Sequence, residues 1–153
     1  MDIEENQTIY GITFGAFDML HAGHSLFLLQ CLNHCDELTI GLHVDPSIER
    51  SGKNKPVQSV TERYFQLSAI KGVTQIIPYE TEHDLKNIVA AHSNLDYYFL
   101  GGDYTYSWVC PEDLKDIIAL RDICVMYMDR YHDYSSTELR GRIEKKYQER
   151  LDY

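Results

Sequence analysis

The stretch Ile9-Tyr-Gly-Ile-Thr-Phe14-Gly15-Ala16-Phe17-Asp18-Met-Leu-His21-Ala-Gly23-His24, residues 9–24, opens the reading of the fold. Ile9 to Phe14 is a β-prone run that stops at Gly15. From residue 22 to 34, apolar side chains recur at Leu26, Leu29 and Leu32, with Phe27 and Leu28 beside them. That spacing predicts a helix buried over a broad face. The stretch is therefore a strand, a glycine-bearing loop and a helix: one β–α unit.

Working outward, the same unit recurs without repeating in sequence. Leu38 to Val44 reads as a strand closed by Asp45-Pro46, and residues 46–58 form a polar loop. Ser59 stands three residues before Glu62, a capping box that opens a helix to about Lys71, ended by Gly72. Val73 to Ile77 is a strand stopped by Pro78. Thr81 caps a helix over 82–92. Asp96 to Leu100 is a strand, and Pro111 suits the first turn of a helix reaching Leu120. Ile123 to Met128 is the fifth strand. Ser135 and Glu138 form a further capping box, opening a charged helix from about 136. Alternation of this kind predicts a Rossmann-like, doubly wound α/β sheet of five parallel strands with helices on both faces. No linker composition interrupts the 153 residues, so one domain is expected over 1–153.

Composition narrows the function classes. The formal net charge is −10, from 24 acidic and 14 basic residues. An acidic chain lacks the basic surface that nucleic acids and anionic membranes require. No apolar run approaches the ~20 residues that span a bilayer, and the acidic amino terminus is no secretory signal. A cytoplasmic protein with no nucleic-acid partner and no membrane insertion is expected. Cys31, Cys35, Cys110 and Cys124 include no CxxC pair; Cys31 and Cys35 fall on a helix among leucines and read as core.

In a doubly wound sheet, ligands bind beyond the carboxyl ends of the strands. The first such segment is Gly15 to His24. A helix start offers unpaired N–H groups and a positive dipole end, which favour an anion. Two histidines three apart stand there, able to donate hydrogen bonds to phosphate oxygens as charge rearranges. No third ligand at zinc spacing is evident. The loop Arg50-Ser-Gly-Lys53-Asn-Lys55-Pro56 concentrates three cations in an acidic chain. Gly101-Gly102-Asp103-Tyr104 follows the fourth strand. Arg130-Tyr-His-Asp133-Tyr-Ser135-Ser136-Thr137-Glu-Leu-Arg140 follows the fifth, with three hydroxyls at a helix start.

GxFDxxHxGH between a strand and a helix resembles the nucleotidyltransferase superfamily of cytidylyltransferases and small adenylyltransferases, above all the glycerol-3-phosphate cytidylyltransferase type. The likeness runs over about residues 8–143. It implies that His21 and His24 contact the triphosphate and stabilise the transition state at the α-phosphorus, with Lys55, ahead of Lys53, folding over the phosphates. It implies nucleotide contacts at Gly15, Ala16, Phe17, Lys53, Asp103, Arg130, Ser135, Ser136 and Thr137. Acceptor contacts fall on Asp18 and Arg63, although Arg63 reads equally as a helix-surface ion-pair residue.

The implied reaction moves CMP from CTP, as its Mg²⁺ complex, to a phosphorylated small alcohol resembling glycerol 3-phosphate. A homodimer is implied, and no metal ligand is assigned. Two departures keep other readings open. Asp133 stands where the resemblance has glycine. Ser-Ser-Thr-x-x-Arg and Gly-Gly-Asp-Tyr also resemble adenylyltransferases, the latter those that make nucleotide-activated heptose. ATP with a sugar phosphate or cofactor precursor is one alternative. A non-catalytic nucleotide-binding protein of the same fold is the other.

Overall fold

Five parallel strands form one sheet in the order β3-β2-β1-β4-β5. They are β1 (Tyr10–Gly15), β2 (Glu37–His43), β3 (Val73–Tyr79), β4 (Tyr97–Gly101) and β5 (Cys124–Met128). The computed structural model describes residues 7–102, 110 and 112–151. Between the strands run α1 (Ala22–Leu32), α2 (Val60–Ser68), α3 (Glu82–Ala91) and α4 (Glu112–Leu120), and α5 (Ser136–Leu151) closes the chain. The expected α/β architecture is the observed one.

Strand alternation sends side chains to two cores. Leu38, Ile40 and Leu42 of β2 join Leu28 and Cys31 of α1 and Leu67 of α2 on one face. Ile12 and Tyr98 join Leu85 and Val89 of α3 and Leu114 of α4 on the other. Each fully buried leucine or isoleucine contributes about 2 kcal/mol. Cys31 and Cys35 sit in the first core, as expected, and burial pushes both thiols up in pKa.

Most boundaries shift by a residue or two, and two of the differences have a structural reason. Pro78 does not stop β3, which runs on to Tyr79, with Pro78 in register with Leu42. β3 is an edge strand, where a missing N–H leaves no ladder bond unmade. The helix expected to reach Lys71 ends at Ser68; Gly72 then takes φ +94°, and a Cβ there would stand 2.6 Å from the Leu32 side chain. Pro111 and Asp103 lie outside the described residues.

The strand order places β1 at the centre. The chain winds from β1 to β2 and β3 on one side, then returns to β4 and β5 on the other. The switch point therefore lies between β1 and β4, above the carboxyl end of β1.

Candidate active site

The loop from β1 to α1 is strained and clamped. Phe17 and Met19 take φ +48° and +49°, left-handed values that cost a non-glycine residue roughly 1–3 kcal/mol. Neighbouring bonds hold the turn. The Phe17 side chain is buried in the first core. The Met19 N–H donates to Gln58 Oε1 at 2.7 Å. The Asp18 carboxylate accepts from the N–H groups of Val57 and Gln58, both at 2.9 Å, and from Arg140 Nη2 at 2.8 Å.

That turn delivers His21 as the N-cap of α1. Its Nδ1 accepts from the Gly23 N–H at 3.1 Å. The neutral ring's proton is then on Nε2, available to a ligand oxygen. His24 follows by three residues, and the two rings stack at 3.8 Å with 22° between planes. His24 Nδ1 is buried and, among the described residues, meets no hydrogen-bond partner. Burial, then the neighbouring His21, lowers the His24 pKa from 6.5 to about 4. Burial, then Arg130 and His132, lowers that of His21. Both imidazoles are thus neutral hydrogen-bonding groups near pH 7 until an anion arrives.

A second helix start meets them. Ser135 caps α5 by accepting from the Glu138 N–H at 3.0 Å. Ser136 Oγ donates to the Asp18 carbonyl at 3.2 Å, tying α5 to the strained turn. Arg130 donates to the carbonyls of His132 and Tyr134 at 3.2 and 3.1 Å. The two starts approach so closely that a Cβ on Gly23 would stand 2.8 Å from the Tyr134 carbonyl. Two positive helix ends converging on one point make an anion site.

A cavity of about 370 Å³ opens over this point, along the carboxyl edge of the sheet from β3 to β5. Gly15, Ala16, Phe17, His21, His24 and Asp18 line its centre. Lys53, Arg130 and Ser135 also reach it, whereas Lys55, Ser136 and Thr137 do not line it. The expected order of the two lysines is therefore reversed in this arrangement. The Val57 N–H, two residues past Lys55, is pinned to Asp18, while Lys53 lies further out along the loop.

The two acceptor contacts expected from sequence need correction. Arg63 is 1% exposed and lies neither on the helix surface nor on the cavity wall. Its guanidinium donates to five carbonyls: Ala16 and His43 from Nη1, Val44 from Nη2, and Gln58 and Ser59 from Nε. It braces the β1–α1 loop and both ends of the β2–α2 loop from within. Asp18 reaches the cavity wall, but its carboxylate is committed to the 57–58 backbone and to Arg140. Both residues position the site.

Sequence reasoning missed His43, Tyr79 and Glu82, which also line the cavity. His43 and Tyr79 are the last residues of β2 and β3. A strand drawn to Val44 hid the first, and the second, placed just past its strand, was given no role. His132, whose buried Nδ1 meets no hydrogen-bond partner among the described residues, was passed over beside Arg130.

Among the described residues, no three His, Cys, Asp or Glu side chains are placed to hold a metal ion. The Asp18 carboxylate is engaged as above, Glu82 pairs with Arg50, and Asp129 accepts from the Tyr131 hydroxyl. Among the described residues these carboxylates do not form a resident Mg²⁺ site. Among the described residues no helix is long and apolar enough to cross a membrane.

Comparison with known proteins agrees with this geometry. A family model described as cytidylyltransferase-like matches residues 12–142. The bifunctional protein HldE of Hyphomonas neptunium is 37% identical over 135 residues, 88% of this chain and 27% of that protein. HldE of Rhodopseudomonas palustris is 34% identical, over 84% of this chain and 26% of that protein. The chain spans about a quarter of the length of these curated relatives. Among solved structures, the lipopolysaccharide core biosynthesis protein of Thermoplasma volcanium is 27% identical with a TM-score of 0.61, covering 84% of this chain and all of that one. Nicotinic acid mononucleotide adenylyltransferase of Plasmodium falciparum, at 18% identity and TM-score 0.53, covers 88% of this chain and 71% of that one; it shares the fold.

Proposed function

The chain belongs to the cytidylyltransferase-like family, and from that premise we propose that it transfers a nucleoside monophosphate from a Mg²⁺-nucleoside triphosphate to a small phosphorylated acceptor. One observation carries the reading: a stacked, desolvated pair of neutral histidines stands where the starts of α1 and α5 converge. An oxygen of the acceptor phosphate forms a bond to the α-phosphorus. The bond from that phosphorus to the bridging oxygen breaks, and pyrophosphate leaves with the electron pair. A phosphate monoester is already anionic near pH 7, so the acceptor needs no strong base. The chain's task is positioning and charge stabilisation. His21 Nε2 and His24 donate to phosphate oxygens as charge builds on them, while Lys53, Arg130 and the Ser135 helix start offset the repulsion between two anions.

Adenylyl transfer to a sugar phosphate is the finer reading that we favour. It is supported by relatives named HldE, by the likeness to a lipopolysaccharide core biosynthesis protein, and by the Gly101-Gly102-Asp103-Tyr104 form. The second reading is cytidylyl transfer to glycerol 3-phosphate. It is supported by Arg130 followed by the Ser135–Thr137 triplet, and by the cytidylyltransferase-like model itself.

Pyrophosphate release by the purified chain with Mg²⁺, either ATP or CTP, and a panel of phosphorylated acceptors tests both readings. The favoured reading predicts release with ATP and a sugar phosphate. Release confined to CTP with glycerol 3-phosphate supports the second. Nucleotide binding without release under any pairing contradicts both and supports a non-catalytic nucleotide-binding protein.

A further inference from the structure

A third imidazole stands at the phosphate site, and the chemistry at His21 and His24 does not use it. His132 lies on the turn between β5 and α5 and lines the cavity beside His21, His24 and Arg130. Its ring stacks on Tyr134 at 5.2 Å, with 29° between planes. The turn is stapled at both ends. Arg130 donates to the carbonyls of His132 and Tyr134, and Ser136 Oγ ties the start of α5 to the Asp18 carbonyl. Gly23 sets the place of this ring relative to His21. A Cβ on Gly23 would stand 3.0 Å from Cε1 of His132 and 3.0 Å from Cε1 of His21, so the two ring edges flank one point at the start of α1. The rings feel one another: burial, then Arg130 and His132, lowers the His21 pKa.

The nitrogens of His132 sort by their surroundings. Nδ1 is buried and meets no hydrogen-bond partner among the described residues. An N–H enclosed there would give up its bond to water and gain none, at a cost of about 1–3 kcal/mol. An enclosed lone pair is tolerated more readily. The proton of the neutral ring therefore belongs on Nε2. His21 reaches the same tautomer by another route, since its Nδ1 accepts from the Gly23 N–H. Each Nε2–H is bonded to the Cε1 edge that approaches Gly23. Two donors on edges that flank one point suit a phosphate group, whose oxygens can be shared between them, and the positive ends of α1 and α5 favour an anion at the same place.

We infer that His132 is a further catalytic residue of this chain, whose Nε2 donates to the nucleotide's triphosphate together with His21, across the point where the starts of α1 and α5 meet. The inference rests on the proposed nucleotidyl transfer. It adds no covalent step. The N–H stabilises charge on the phosphate oxygens as the bond to the α-phosphorus forms and pyrophosphate departs, and it keeps its proton throughout. Arg130 gives Nε and Nη2 to the turn, and the turn in return holds the imidazole over the cavity.

The test follows the imidazole resonances of the ¹⁵N-labelled full chain, assigned through single His→Gln variants, as Mg²⁺-ATP and Mg²⁺-CTP are added separately. The nucleotide that shifts His21 and His24 is expected to shift His132 on the same saturation curve. Two variants then separate chemistry from packing. His132→Phe keeps a flat ring against Tyr134 and removes the N–H, and kcat/KM for that nucleotide should fall about tenfold or more at an unchanged melting temperature. His132→Gln can set an amide N–H near the place of Nε2, and should recover about threefold or more of that loss. A packing role predicts the opposite order, with Phe close to the wild type and Gln impaired. Where His132→Phe lowers the melting temperature, the titration of the wild type decides. The inference is overturned if His132 stays still while His21 and His24 shift, if a stable His132→Phe turns over as the wild type does, or if Gln is no better than Phe. Silence of all three imidazoles toward both nucleotides would overturn the transfer reading and the inference with it, a result distinct from the others.

Discussion

At the residue scale, His24 carries the most information because its surroundings disfavour its own charge. Its ring is desolvated and stacked on His21, and its Nδ1 meets no hydrogen-bond partner among the described residues. A group held that way gains from an incoming phosphate what it lacks in the free protein. His24→Ala is expected to lower turnover by about 10²–10³-fold, the range for losing one preorganised donor to a developing anion. Steady-state kinetics check this, and a near-normal rate would remove His24 from the mechanism.

The same burial makes a stability prediction. The folded pKa, about 4, lies below the ordinary 6.5, so the unfolded chain binds the extra proton between those values. His24 therefore takes stability away as pH falls from about 6.5 to about 4, by up to roughly 3 kcal/mol, and has no such effect above 7. Urea unfolding across that window should show the loss, and His24→Gln should flatten it.

At the element scale, the loops around the switch point act as one clamped unit, with Arg63 at its centre. Five carbonyls from the segments after β1, after β2 and before α2 converge on one buried guanidinium. Arg63→Ala removes all five side-chain bonds, leaving the Ser59 carbonyl only its bond from the backbone N–H of residue 63, and should cost about 3 kcal/mol or more. Arg63→Lys should not restore the loss, because an ammonium cannot span the fork. Chemical denaturation measures this. A variant of wild-type stability with only a raised acceptor KM would contradict the bracing role.

Elements of this kind mark where sequence reading reached and where it stopped. The five strands, the capping box at Ser59, the helix cap at Thr81, and the histidine pair were legible, because each depends on neighbours within a few residues. Arg63 was not, since its partners lie up to 47 positions away and its direction is set by tertiary packing. Pro78 misled because the rule it invokes holds for interior strands, and edge position is a property of the sheet. His43 was hidden by a strand end drawn one residue off, where a single position decides between core and cavity, and Tyr79 was placed just past its strand without a role.

At the scale of the whole molecule, the order β3-β2-β1-β4-β5 puts the histidines after the central strand, with cavity wall on both sides of it. A transfer between two anions needs that arrangement: one end for each substrate, with donors at the junction. The homodimer implied by the family resemblance belongs to this scale as well. We propose that the chain pairs in solution. Light scattering on the eluted peak should then give about twice the 17.8 kDa of one chain. A mass of one chain across micromolar concentrations would contradict it.

The central claim is that a nucleotide's α-phosphorus is joined to an acceptor phosphate at this junction. Phosphorus NMR of the protein with Mg²⁺, ATP and a sugar phosphate observes the joining itself. The account predicts a new diphosphate diester and free pyrophosphate growing in equal amounts, with both nearly abolished in His24→Ala. Orthophosphate release without the diester, or an unchanged spectrum with nucleotide demonstrably bound, would contradict it.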